Sequence, residues 1–195
     1  MPTIPGLKAV LKREFWDPLR EQGFTDGKVR TRWRRWSEGI DAVEVRRVGT
    51  RFAGMIDSTP GSFSVTAGLW LRWGDSSTTW VPSEGEFPEL PDCQLRFCVG
   101  NTLRQRLPRF RQDSSTIWLV SQDGSNAVEC VQDAWRQVAE HALPWLEKMR
   151  DPEYVRWQIS QRELDIGPAG WGGPESPSRR RWREAVERRL SEKKK

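Results

Sequence analysis

Between Pro5 and Gln22 the apolar side chains Leu7, Val10, Leu11, Phe15 and Leu19 recur at intervals of three and four, the stripe of a helix that buries one side. Gly23 supplies a stop, and Phe24 is the apolar residue that folds back on a glycine-capped helix end. Pro18 falls late in the stripe and predicts a kink.

From Val29 to Arg72 the period changes to two. Val29, Thr31 and Trp33 alternate with Arg30, Arg32 and Arg34, and after Ser37-Glu38-Gly39 a second run extends from Ile40 to Val48, which predicts a hairpin. The clearest strand puts Phe63, Val65, Ala67, Leu69 and Leu71 on one side, the core side, and Ser64, Thr66, Gly68 and Arg72 on the other. Gly74 to Pro91 reads as a long surface loop able to cover a site. Alternation returns at Cys93, Leu95, Phe97 and Val99 and in the run Thr116 to Val120, two strands separated by a basic loop, Arg104 to Arg111.

After the helix-start signal Asp123-Gly124-Ser125, the stripe Val128, Val131, Trp135, Val138 and Ala142 predicts a second long helix, closed by Pro144. Asp151-Pro152-Glu153 opens a shorter one, to about Leu164. The pattern therefore predicts an α+β fold: an antiparallel sheet of about five strands, packed by an N-terminal helix and a C-terminal helix. Residues 1–165 form the single domain, 166–178 a Gly/Pro-rich linker, and 179–195 a basic helical or disordered tail.

Composition sharpens the outline. The chain has 195 residues, 30% of them charged, and a mean hydropathy of -0.74, so one core with a polar appendage is expected. Nine of the residues from Glu175 to Lys195 are basic and four acidic, so the tail alone accounts for the whole-chain charge of +5. With the apolar stripes placed before Leu164, removal of Gly167 to Lys195 is expected to shift stability by less than about 1 kcal/mol. Met1-Pro-Thr-Ile-Pro lacks the basic start and apolar run of a secretory signal, and no stretch is apolar enough to span a bilayer, so a cytoplasmic location is expected. Cys93, Cys98 and Cys130 are an odd number without zinc-ribbon spacing.

The order of elements resembles a bacterial family known only as domain of unknown function 4304. The resemblance rests on a helix ending in Gly-Phe, an Arg/Trp hairpin, the strand Phe63-Ser-Val-Thr-Ala-Gly-Leu-Trp-Leu with its Gly68 to Trp70 segment, Cys93-Gln-Leu-Arg-Phe, Thr116-Ile-Trp-Leu-Val, and Leu143-Pro-Trp-Leu, spanning about Leu7 to Lys148. It imports no catalytic residue. The relation of some members to bacterial toxin systems implies an immunity-type or other binding role.

The residues themselves offer little for catalysis. His141 is the single histidine, so neither a Ser-His-Asp triad nor a multi-histidine metal site can be assembled from one chain, and Gly167 to Gly173 lacks the Lys-Ser or Lys-Thr of a phosphate loop. No catalytic, cofactor or metal residue is therefore assigned. What stands out is a chain of 12 tryptophans with arginines interleaved. The candidate binding surface is Arg30, Arg32, Arg34, Arg35, Trp36, Arg46, Arg47, Arg51 and Trp70, with Trp182 on the tail, where Trp182, Val186 and Leu190 make a narrow apolar line. The reading that follows is a non-enzymatic module binding another protein; its alternative is nucleic acid held by the Arg/Trp hairpin and the tail.

Overall fold

In the computed structural model the alternation from Phe63 to Leu71 becomes the central strand of the sheet. The structure describes residues 4, 6–56, 58–74, 83, 85–103, 105–107, 112–113, 115–160 and 177–193. Its strands are β1 (Asp26–Gly27), β2 (Thr31–Trp36), β3 (Gly39–Arg47), β4 (Phe63–Leu71) and β5 (Leu95–Cys98), hydrogen-bonded in that order and antiparallel throughout. A separate hairpin, β6 (Arg106–Leu107) with β7 (Gln112–Asp113), occupies part of the expected basic loop, and β8 (Ile117–Trp118) pairs with the start of β4 as a sixth strand of the main sheet. The β2–β3 hairpin closes through Ser37 and Glu38, with Trp36 opposite Gly39, as the turn residues predict.

Both faces of the sheet are covered. On one face Val43 and Val45 of β3 and the five alternating residues of β4 join one apolar core with Leu7, Leu11, Phe15 and Leu19 of the first helix. Val131, Ala134, Val138, Ala142 and Leu146 of the second long helix fill the same core. On the other face Trp33, Ile40, Ala42 and Trp70 pack with Leu90 and Cys93 into a smaller cluster. The end of the expected surface loop provides that cover: Phe87 stacks on Trp33 with centroids 5.0 Å apart, and Trp33 Nε1 donates to the Pro88 carbonyl at 2.9 Å. Gly68 is required there, because a Cβ would lie 2.7 Å from both Cys93 Sγ and a Leu90 methyl. Residues 75–82 of that loop lie outside the described residues.

Each long helix runs through its internal proline. The first comprises α1 (Leu7–Leu11), a wide π turn at Lys12–Trp16 and α2 (Asp17–Glu21), with Pro18 just past the turn. The second repeats the device with α4 (Ala127–Gln137), a π turn at Val138–Ala142 and α5 (Leu143–Met149), with Pro144 just past it. Pro144 therefore does not close the helix as the sequence suggested: widening the preceding turn accommodates a residue that lacks an N–H and whose ring crowds the carbonyl four residues back. α6 (Pro152–Ser160) starts as expected, with Asp151 Oδ1 accepting from the Glu153 N–H at 3.1 Å. A short helix not foreseen, α3 (Thr50–Met55), joins β3 to β4.

The tail corrects the expectation that the apolar stripes end before Leu164. Pro177–Glu192 form α7, a regular helix whose Trp182, Val186 and Leu190 are buried in the main core, alongside α6. Trp182 meets Trp73 edge-to-face, with centroids 6.3 Å apart, and Arg189 of α7 pairs with Glu38 of the β2–β3 turn. The narrow apolar line is thus a docking face, since each of its three side chains exchanges water for core contacts. Most of the expected linker, residues 166–176, lies outside the described residues. No helix among the described residues is long and apolar enough to cross a membrane.

Candidate interaction surfaces

Buried carboxylates are where acid-base chemistry would first be sought, and two are buried among the described residues. Asp133 of α4 accepts from Trp118 Nε1 at 2.8 Å, from the Thr102 hydroxyl at 2.5 Å and from Arg136. Burial pushes its carboxyl up, but the bonds from Thr102, Trp118 and Arg136 outweigh that and hold it below the ordinary aspartate value. Asp133 thus clamps β8 to α4. A group with a depressed folded pKa stabilises fully above its unfolded value, near about 3.9, and loses that contribution as the pH falls through the lower folded value. Asp133→Asn is accordingly expected to lose about 1–3 kcal/mol at neutral pH, with the gap to the parent chain narrowing below about pH 4. Urea unfolding at pH 7 and pH 3 reads the difference, and an equal gap at both would remove the charge from the explanation.

Asp41 of β3 is fully buried. Its Oδ2 accepts from Arg34 Nε at 2.8 Å and from Arg150, while Glu147 of α5 accepts from Arg34 at 2.7 Å and Arg150 at 2.7 Å. Arg34 also lies 4.7 Å from the Phe24 ring centroid, and Arg150 lies 5.0 Å from that of Trp36. Two acids and two guanidiniums therefore tie the hairpin to the helical layer.

That arrangement redistributes the expected binding surface. Arg32 and Arg34 alternate as predicted, but their face is the helix face, opposite Val43 and Asp41: Arg32 lies over Trp16 at 5.1 Å, and Arg34 is held in the ion-pair cluster. Trp36 is half-buried beneath Arg150, Trp70 is buried in the second cluster, and Trp182 is buried under α7. These five residues are not a free surface, because both sides of the hairpin are covered. Arg35 is exposed but rests 4.9 Å from the Phe87 centroid and donates to the Glu86 carbonyl at 2.8 Å.

Arg30, Arg46, Arg47 and Arg51 are exposed and are brought to one end of the sheet. The Val45 N–H donates to the Arg30 carbonyl at 2.9 Å, which places Arg30 beside the outgoing end of β3; Arg46 and Arg47 close β3, and Arg51 opens α3. Arg46 pairs with Glu44 at 2.9 Å, whereas Arg30, Arg47 and Arg51 make no ion pair among the described residues. Sequence reasoning missed the companions of these arginines. α3 buries Ala53, and Ile56 just beyond it, against Val48, Ile117 and Leu119, and so turns Phe52 and Met55 outward at 47% and 49% exposure. The offset of three between Phe52 and Met55 and between Ala53 and Ile56 was the available signal, carried by too few residues to be read as a helix.

A cleft lies at the opposite end of the hairpin. Ser37 and Glu38 of the β2–β3 turn, Arg72 and Trp73 after β4, and Arg188, Arg189 and Glu192 of α7 line a cleft of about 480 Å³. Among the described residues no group of three or more His, Cys, Asp or Glu side chains is placed to hold a metal ion. Of the thiols, Cys93 and Cys130 are buried, and burial pushes Cys130 up to about 11, which keeps it protonated at neutral pH.

No family model, curated protein or solved structure matches the chain.

Proposed function

We propose that the chain is a protein-binding module that docks an acidic surface of another protein on the outer face of α3. The observation that carries this reading is the pairing of Phe52 and Met55, two large apolar side chains held half-exposed on a helix whose other side is buried, with Arg51 on the same helix and Arg46 and Arg47 at the end of the strand that leads into it. Apolar anchors beside charged groups are the usual anatomy of a hot spot, and Arg47 and Arg51, which make no ion pair among the described residues, select for acidic surroundings on the other side. An immunity-type or regulatory role toward another bacterial protein, acting in the cytoplasm, is the finer form of the proposal; the role follows the family resemblance and the location the sequence pattern.

The test is comparative capture from the native host with the full chain and with Phe52→Asp. Both side chains of the anchor pair are exposed, so the substitution is expected to leave the thermal midpoint nearly unchanged while weakening the partner's affinity by about tenfold or more, the equivalent of about 1.4 kcal/mol. A partner retained equally by Phe52→Asp, or only small molecules recovered with turnover, would overturn the reading.

Nucleic acid binding is favoured by one observation, the cluster of Arg30, Arg47 and Arg51 without ion-pair partners among the described residues. The aromatic half of that idea is weakened, since Trp33, Trp70 and Trp182 are buried and none presents a face for a base. Titration of labelled DNA and RNA at two salt concentrations separates the alternatives: phosphate contacts predict affinity that falls steeply with salt.

A further inference from the structure

The cleft beneath α7 has an imbalance that its own residues do not resolve. Its two carboxylates are both committed to the same cation: Arg189 pairs with Glu38 of the β2–β3 turn and, at 3.4 Å, with Glu192 one helical turn on. Arg72 and Arg188 line the same cleft, are exposed, and make no ion pair among the described residues. Trp73 and Arg189, which also line it, each carry a buried N–H without an acceptor, the indole Nε1 and the guanidinium Nε. Unmatched buried donors are uncommon in folded proteins, and each is a position where an acceptor atom would be favoured. The wider field has the same sign: from Arg179 to Lys193 the chain carries seven basic side chains against three glutamates, more than enough to offset the partial negative charge of the helix's C-terminal end.

We propose that this cleft is a binding site for the oxyanion of a small molecule, a phosphate or a carboxylate, held between Arg72 and Arg188 beside the Trp73 ring. Guanidinium groups meet such oxyanions through paired N–H donors, and the volume lies within the range of about 300–1,000 Å³ common for small-ligand pockets. Three segments distant in sequence form the walls, the hairpin turn, the end of β4 and α7, so the site exists only once α7 has docked. It is separate from the α3 surface and does not depend on it.

The experiment uses the full chain labelled with ¹⁵N, with the Trp73 indole signal assigned by its disappearance in Trp73→Phe. Sodium phosphate and sodium acetate are titrated separately against sodium chloride at equal ionic strength. A saturable shift of the Trp73 indole N–H with phosphate or acetate, absent with chloride, is expected, and the tighter of the two identifies the ligand class. In the double variant Arg72→Gln/Arg188→Gln, whose side chains are exposed and whose thermal midpoint should match the parent, the affinity should fall about tenfold or more. Lys193→Gln, outside the cleft lining, should leave it within about twofold. No saturable shift, an equal shift with chloride, or an affinity unchanged in the double variant would each overturn the proposal.

Discussion

A chain ending at Ser160 is expected to melt far below the full-length protein or to be insoluble. α7 places Trp182, Val186 and Leu190 in the core, and burying each such side chain is worth roughly 1.5–3 kcal/mol. The total of several kcal/mol corresponds, for a domain of this size, to a fall in the midpoint of about 10 °C or more, at roughly 2–4 °C for each kcal/mol. Trp182→Ala tests the same contact without removing the helix and should cost about 3–5 kcal/mol, because the cavity would open beside Trp73. Arg180→Ala, on the exposed side of α7, should stay within about 0.5 kcal/mol. Thermal unfolding of the four chains decides the matter. A shortened chain that melts with the parent would restore the view of residues 179–195 as an appendage.

The second large effect is expected at Asp41. Arg34 and Arg150 keep only 19% and 21% of their side chains exposed, and Asp41, with no exposure, is the acid that both of them share in the interior. Asp41→Ala leaves two guanidiniums half-committed to the single exposed carboxylate of Glu147 and should cost about 3–5 kcal/mol. Glu147→Ala removes the outer, hydrated member and should cost about 1 kcal/mol or less. Denaturant unfolding of both variants provides the comparison. Equal losses would mean that the interior carboxylate has no special part in fastening the hairpin to α5.

The strand from Phe63 to Leu71 and most of the two long helical stripes were legible because a period of two or of about 3.6 persists over enough residues to define a buried face; Val128, counted in the second stripe, instead faces outward while Ala127 and Cys130 are buried. Alternation also placed Arg32 and Arg34 together correctly, yet it does not say which side of the sheet they occupy. The sheet carries a buried cluster on each face: Trp33 lies in the smaller one, so its neighbours fall under the helices. Long aliphatic stems and flat guanidinium groups allow arginine to occupy that margin, stacked on Trp16 and Phe24 while reaching acids and carbonyls. The α3 surface and the cleft were not legible for a different reason. Each is assembled from segments whose meeting is a tertiary event, and no local pattern links Ala53 to Ile117 or Arg72 to Arg188.

The π turns ahead of Pro18 and Pro144 bear on helical phase. Side chains four apart on an ideal α-helix advance by about 40° at each step, so the series Leu7, Leu11, Phe15 and Leu19 would wind about 120° away from its starting direction. Each wide turn takes up part of an extra residue and rotates the following segment back, and all four side chains remain buried. Ala134, Val138, Ala142 and Leu146 show the same spacing of four across the second wide turn, again with every member buried. The prolines therefore act as phase correctors: by favouring one overwide turn, each lets a four-residue repeat lie straight along a sheet that a regular helix would meet only in passing.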